Sequence, residues 1–137
     1  MTDYLTLDDV RGLHADVMRS TGFLPAPVQD AGALESAIMR PQMVAHYEGA
    51  DLLIQAVTLL AISQAQAFAN GNKRTAMFAA LVFLELNGSA FDGDDELLAV
   101  LLEEAASRPH DEARTTIAEW MCPQIVTQRD ERDIPQP

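Results

Sequence analysis

A chain of 137 residues, 48% hydrophobic and 22% charged, is long enough for one domain with a sizeable core and too apolar to stay disordered. Its net charge of −12, from 21 acidic and nine basic residues, argues against non-specific binding to nucleic acid or to an anionic membrane face. The lone Cys122 excludes an intramolecular disulfide, fits a reducing cytoplasm, and reads as a small buried hydrophobe near a helix end.

Met1-Thr2-Asp3-Tyr4 has neither the basic n-region nor the apolar run of a signal peptide, and the apolar stretches stop short of the roughly 18 residues a membrane span needs. Thr6 reads as an N-cap with Asp9 as its reciprocal acid, after which Val10, Leu13, His14, Val17 and Met18 share a helical face. His14 on such a face reads as a core or boundary histidine. Thr21-Gly22 with Pro25 and Pro27 predicts a loop. Asp30 caps a second, short helix with Leu34, Ala37 and Ile38 on one face, and Arg40-Pro41-Gln42 is expected to end it, because a residue before proline avoids the α region. Met43 to Gly49 then reads as a connector in which Tyr47 and Glu48 can rim a site.

From Leu52 to Gln66 the sequence is apolar nearly all round, which predicts a helix buried in a bundle. A second such helix follows, Thr75 to Leu86 with Lys73 and Arg74 in its first turn, closed by Asn87-Gly88. Asp92, Asp94, Asp95 and Glu96 open another helix whose Leu97, Leu98, Val100, Leu101 and Leu102 are expected to pack inward, and a last helix runs from about Asp111 to Pro123 with Ala113, Ile117, Trp120 and Met121 on one face. The tail from Thr127 to Pro137 is charged, contains proline and lacks periodicity. With no repeats and no convincing strand alternation, the prediction is a single all-α domain over residues 1–126 with a loose tail over 127–137.

The stretch Phe68-Ala69-Asn70-Gly71-Asn72-Lys73-Arg74-Thr75 lies between the two buried helices. Asn-Gly is a turn dipeptide, and Lys73, the only lysine in the chain, sits with Arg74 where a helix macrodipole is already positive. Two cations there are unfavourable unless an anion docks, so a Gly-permitted turn feeding a helix N-terminus is a candidate phosphate cradle. The competing reading is a tight helix–helix turn whose cations pair with nearby acids. His14, His46 and His110 show no metal-ligand spacing.

Gln66-Ala67-Phe68-Ala69-Asn70-Gly71-Asn72-Lys73-Arg74-Thr75 resembles the Fic/Doc signature, H-x-F-x-[D/E]-G-N-[K/G]-R, in its Doc form. Gly32-Ala33-Leu34-Glu35-Ser36-Ala37 with Arg40-Pro41-Gln42, and Leu81-Val82-Phe83-Leu84-Glu85-Leu86-Asn87-Gly88, are similar to the Doc segments that flank it. The resemblance covers most of residues 5 to 105. It implies that Phe68 anchors the loop, that Gly71 and Asn72 form an anion-binding turn, and that Lys73 and Arg74 grip the phosphates of ATP with Mg²⁺. AMP-transferring relatives usually have Gly at the place of Lys73 and Arg at that of Met77. The chain therefore resembles the Doc branch, which transfers the γ-phosphoryl of ATP to elongation factor Tu and is restrained by a Phd-like antitoxin.

Two residues depart from the pattern. The family's histidine base is Gln66 here, and its acidic metal ligand is Asn70. Glutamine can orient a hydroxyl but takes no proton at neutral pH, and loss of a general base costs about 10²–10⁴-fold in rate. Asn70 offers a neutral oxygen, a weaker partner for Mg²⁺. Gln66 has three readings: an engineered substitution, a natural loss leaving a nucleotide- or partner-binding pseudoenzyme, or a Fic fold re-used for AMP-transfer or biosynthetic chemistry. The expectation is a toxin-type protein whose site is inactive or weakened. An inhibitory [S/T]-x-x-x-E-[G/N] helix is not expected, since Val44-Ala45-His46-Tyr47-Glu48-Gly49 lacks the hydroxyl residue.

Overall fold

Carboxylate and hydroxyl side chains fix where the helices begin in the computed structural model, which describes residues 1–24, 27–105 and 107–127. Thr6 and Asp9 form a full capping box at the start of α1 (Leu7–Ser20): the Asp9 N–H donates to Thr6 Oγ1 at 3.1 Å and the Thr6 N–H to Asp9 Oδ2 at 2.8 Å. Asp30 accepts from the Ala33 N–H at 3.0 Å to open α2 (Ala31–Glu48), and Asp51 accepts from the Ile54 N–H at 2.9 Å to open α3 (Leu52–Thr58). After these come α4 (Ala61–Ala65), α5 (Asn72–Leu86), β1 (Ser89–Phe91), α6 (Asp95–Ala105), α7 (His110–Met121), a 3₁₀ turn (Cys122–Gln124) and β2 (Ile125–Thr127).

The fold is helical, as the periodicity predicts, and α5 is its axis: it packs against α1, α3, α4, α6 and β1. Phe83 and Leu84 on α5 are fully buried with Leu34, Leu59, Ile62, Leu98 and Met121 from the surrounding elements. Each such side chain contributes about 1.5–3 kcal/mol of transfer free energy. The C-terminal end of α5 is tied to the chain start by Asn87, whose Nδ2 donates to the Asp3 and Phe83 carbonyls, both at 2.8 Å, while its Oδ1 accepts the Asp3 N–H at 2.7 Å. That leaves the other end of α5 open to present its N-terminus.

Several expectations are corrected. Helix α2 does not stop at Arg40-Pro41-Gln42 but runs on through the expected connector to Glu48, where Gly49 at φ +65° caps it. Leu34, Ala37, Ile38 and Pro41 are all buried at i, i+3, i+4, i+7 spacing, so the core takes the proline ring as a fourth apolar member and outweighs one missing backbone bond. The single helix expected from Leu52 to Gln66 is two. Around Leu59 and Leu60 the bonds tighten to i−3 acceptors, Leu59 to Ala56 and Leu60 to Val57, and the Thr58 hydroxyl donates to the Gln55 carbonyl at 2.6 Å. On α6 only Leu98 is buried among the expected apolar residues; Leu101 and Leu102 are half-buried, and Leu97 and Val100 face outward.

Cys122 is exposed in the 3₁₀ turn rather than buried, because α7 has already ended at Met121. The all-helical prediction also missed a small antiparallel ribbon, Ser89 opposite Thr127 and Phe91 opposite Ile125. Three-residue strands are too short to show alternation. Thr127, assigned from sequence to the tail, is thus strand-paired. Residues 128–137 and Pro25 lie outside the described residues. No helix among the described residues is long and apolar enough to cross a membrane.

Candidate functional site

The turn between α4 and α5 is built by a glycine, an asparagine and a histidine, each for a separate reason. Gly71 caps α5 in the left-handed region at φ +80°, which only glycine enters without a Cβ penalty. Asn72 has its side chain turned inward and buried: Nδ2 donates to the Phe68 carbonyl at 2.8 Å and Oδ1 accepts the Phe68 N–H at 3.1 Å. One side chain thereby satisfies both backbone groups of a buried residue and closes the loop on itself. Phe68 is itself buried, 2% exposed. From the other side, the Ala67 carbonyl accepts the Gln29 N–H at 2.7 Å.

The first backbone bond of α5 runs from the Thr75 N–H to the Gly71 carbonyl at 3.0 Å. The N–H groups of Asn72, Lys73 and Arg74 therefore precede the ladder, and no side chain caps them. Lys73 and Arg74 are both exposed. Arg74 has no carboxylate within ion-pair distance among the described residues, whereas Lys73 Nζ donates to Glu103 Oε1 on α6 at 2.6 Å. That hydrogen bond first, and the ammonium charge second, hold the Glu103 carboxyl below its ordinary value. The pair is exposed on both sides, so it is weak and easily exchanged for another anion. Three free N–H groups, one guanidinium and one loosely paired ammonium at a helix N-terminus suit a phosphate.

Metal capacity is smaller. Asn70 is exposed and carries a neutral amide oxygen, and no group of three His, Cys, Asp or Glu side chains able to hold a metal is found among the described residues. This donor set fits a Mg²⁺ held chiefly by phosphate oxygens, with Asn70 as an added ligand.

Gln66 caps α4 in the left-handed region at φ +50°, a conformation that non-glycine residues adopt at a cost of about 1–2 kcal/mol. Its side chain is exposed and folded back, with Nε2 donating to the Ser63 carbonyl at 2.6 Å. Met77 is buried on α5 and offers no charge to a ligand. Of Tyr47 and Glu48, Glu48 pairs with Arg114 at 3.3 Å and lines a cavity of about 390 Å³ whose lining includes none of residues 66 to 74, while Tyr47 is exposed.

Sequence reasoning missed two contributors. Glu103 lies 30 residues from Lys73, and nothing in the pattern of α6 marks it as a partner of the signature lysine. His14, read as a core histidine, is indeed buried, but it is buried directly under the turn and bonded to it. Its position on the apolar face of α1 carried the burial and not the partner.

The Fic/DOC family model matches residues 4–84, and the chain belongs to that family. Among curated proteins it is similar to Toxin Doc of Mycolicibacterium smegmatis, at 38% identity over 118 residues, which is 81% of this chain and 86% of that protein.

Proposed function

We propose that the chain is a Doc-type toxin of a toxin–antitoxin pair, a cytoplasmic ATP-dependent transferase that directs the γ-phosphoryl of ATP to a hydroxyl of elongation factor Tu, with its activity weakened by Gln66. The likeness to Toxin Doc supports the toxin assignment. The observation that supports the chemistry is the uncapped N-terminus of α5, whose first turn carries the exposed Lys73 and Arg74 beside the N–H groups after Gly71. Phosphoryl transfer asks the protein mainly for positioning and charge, which this arrangement supplies. Lys73 and Arg74 bind and orient the phosphates, Gly71 lets the backbone approach them closely, and Asn72 and Phe68 keep the loop rigid. Asn70 would offer its amide oxygen to a Mg²⁺ bound with the nucleotide, which would neutralise phosphate charge there.

Gln66 occupies the position at which a base deprotonates the attacking hydroxyl. Its amide takes no proton, and in this structure it is engaged with Ser63. This engagement favours a second reading, a pseudoenzyme that binds nucleotide or partner without turning over. The partner in either reading is a Phd-like antitoxin, whose disordered segment folds as a helix on the toxin surface.

The intact mass of elongation factor Tu after incubation with ATP, Mg²⁺ and either the wild-type chain or Gln66→His separates these readings. Addition of one phosphoryl group by the histidine variant, with little or none by the wild type, is the expected result. If neither chain modifies the factor, the transferase reading falls and the pseudoenzyme takes its place.

A further inference from the structure

His14 comes from α1, 56 residues before the turn it touches, and makes two different contacts with it. Its Nε2 lies 2.9 Å from the Asn70 carbonyl oxygen, and its ring stacks on Phe68 with centroids 3.7 Å apart and planes 9° from parallel. A carbonyl oxygen only accepts, so Nε2 carries the proton and donates. The next residue, Gly71, rests on the same helix: a Cβ there would lie 3.2 Å from Met18 Sδ and 3.5 Å from both His14 Cδ2 and Val17 Cγ1. The ring is 2% exposed, which excludes it as a replacement base for Gln66 because a substrate hydroxyl cannot reach it.

We infer that His14 is a positioning residue for the anion-binding turn. By holding the Asn70 carbonyl and the Phe68 ring at once, it aims the Asn70–Gly71 peptide so that the left-handed Gly71 turns the N–H groups of α5 toward a bound phosphate. A phenylalanine keeps an aromatic ring against Phe68, in a somewhat larger side chain, but leaves the carbonyl without its donor, and the turn then relaxes away from the phosphate-facing geometry. This inference rests on the nucleotide reading of the turn, and the experiment is chosen so that the two fail separately.

Three chains are compared at a temperature where all are folded: wild type, His14→Phe, and Val10→Ala as a control for destabilisation of α1 away from the turn. ATP·Mg²⁺ affinity is measured by calorimetry, and amide exchange is followed at Phe68 and Thr75, whose N–H groups close the loop. Losing one oriented hydrogen bond predicts about tenfold weaker ATP binding and about tenfold faster exchange at both amides for His14→Phe, with ATP affinity within about twofold of wild type for Val10→Ala. Wild-type affinity and exchange in His14→Phe overturn the role, as does an equal loss of affinity in Val10→Ala. If the wild type binds no ATP, the nucleotide reading falls and the exchange comparison alone decides the positioning role. Should His14→Phe fail to fold, the wild-type ¹⁵N spectrum decides: a His14 ring proton on Nε2 coupled through the hydrogen bond to the Asn70 carbonyl supports the role, and a proton on Nδ1 refutes it.

Discussion

Replacing Gly71 by alanine tests whether the turn is set by backbone strain, by close approach to α1, or by both. Three glycines separate the terms. Gly12 lies inside α1 with nothing within 4 Å of where an added methyl would sit, so alanine there adds helix propensity and stabilises by about 0.5–1 kcal/mol. Gly49 caps α2 at φ +65° with open space around it, so alanine meets only the left-handed penalty, about 1 kcal/mol. Gly71 has the same penalty at φ +80° and in addition the 3.2 Å approach to Met18 Sδ. Met18 is buried, so its thioether cannot swing into solvent, and the enforced shift adds about another 1–2 kcal/mol of overpacking. The total for Gly71→Ala is thus about 2–3 kcal/mol.

Urea unfolding at neutral pH reads this directly. With a slope of about 1.5 kcal/mol per molar, the midpoint rises by about 0.5 M for Gly12→Ala and falls by about 0.7 M for Gly49→Ala and by about 1.3–2 M for Gly71→Ala. If Gly71→Ala costs no more than Gly49→Ala, the turn does not rest on α1, and its seating on His14, Val17 and Met18 is wrong.

Asn72→Ala removes the side chain that satisfies both backbone groups of Phe68; two buried groups left unpaired predict a loss of about 2–4 kcal/mol in urea unfolding, and a change under about 1 kcal/mol would refute the clip. Thr75 carries a fully buried hydroxyl without a hydrogen-bond partner among the described residues, so the near-isosteric Thr75→Val is expected to stabilise by about 1 kcal/mol, and a destabilisation of that size would reveal a missed partner. Glu103 has its carboxyl pKa lowered by Lys73, so the pair's small contribution to stability is present above the ordinary carboxylate pKa and is lost as pH falls through the lowered value. Glu103→Gln should therefore differ from wild type only at neutral pH and low salt, and at low salt it should bind ATP more tightly because Lys73 is released; weaker binding in that variant would make Glu103 a part of the site rather than a competitor for its lysine.

Much of this protein is decided locally. Thr6, Asp30 and Asp51 open their helices through contacts three residues away, Gly71 and Gly88 make turns that need positive φ, and the apolar run of α5 is buried wherever it packs, so each could be read from neighbouring residues. The cations after Gly71 were legible for the same reason, since a helix N-terminus and its charge are features of one short segment. What only the tertiary structure decided depends on residues far apart in the chain. Pro41 stays helical because the core accepts its ring, the apolar run before the loop breaks at Leu59 without any glycine or proline to mark it, and β1 exists only because β2 lies beside it. At the site, His14 reaches the turn from 56 residues away and Glu103 reaches Lys73 from 30. Periodicity tells that a side chain is turned inward or outward, but its partner is chosen by how whole helices pack, and that choice is a property of the folded chain.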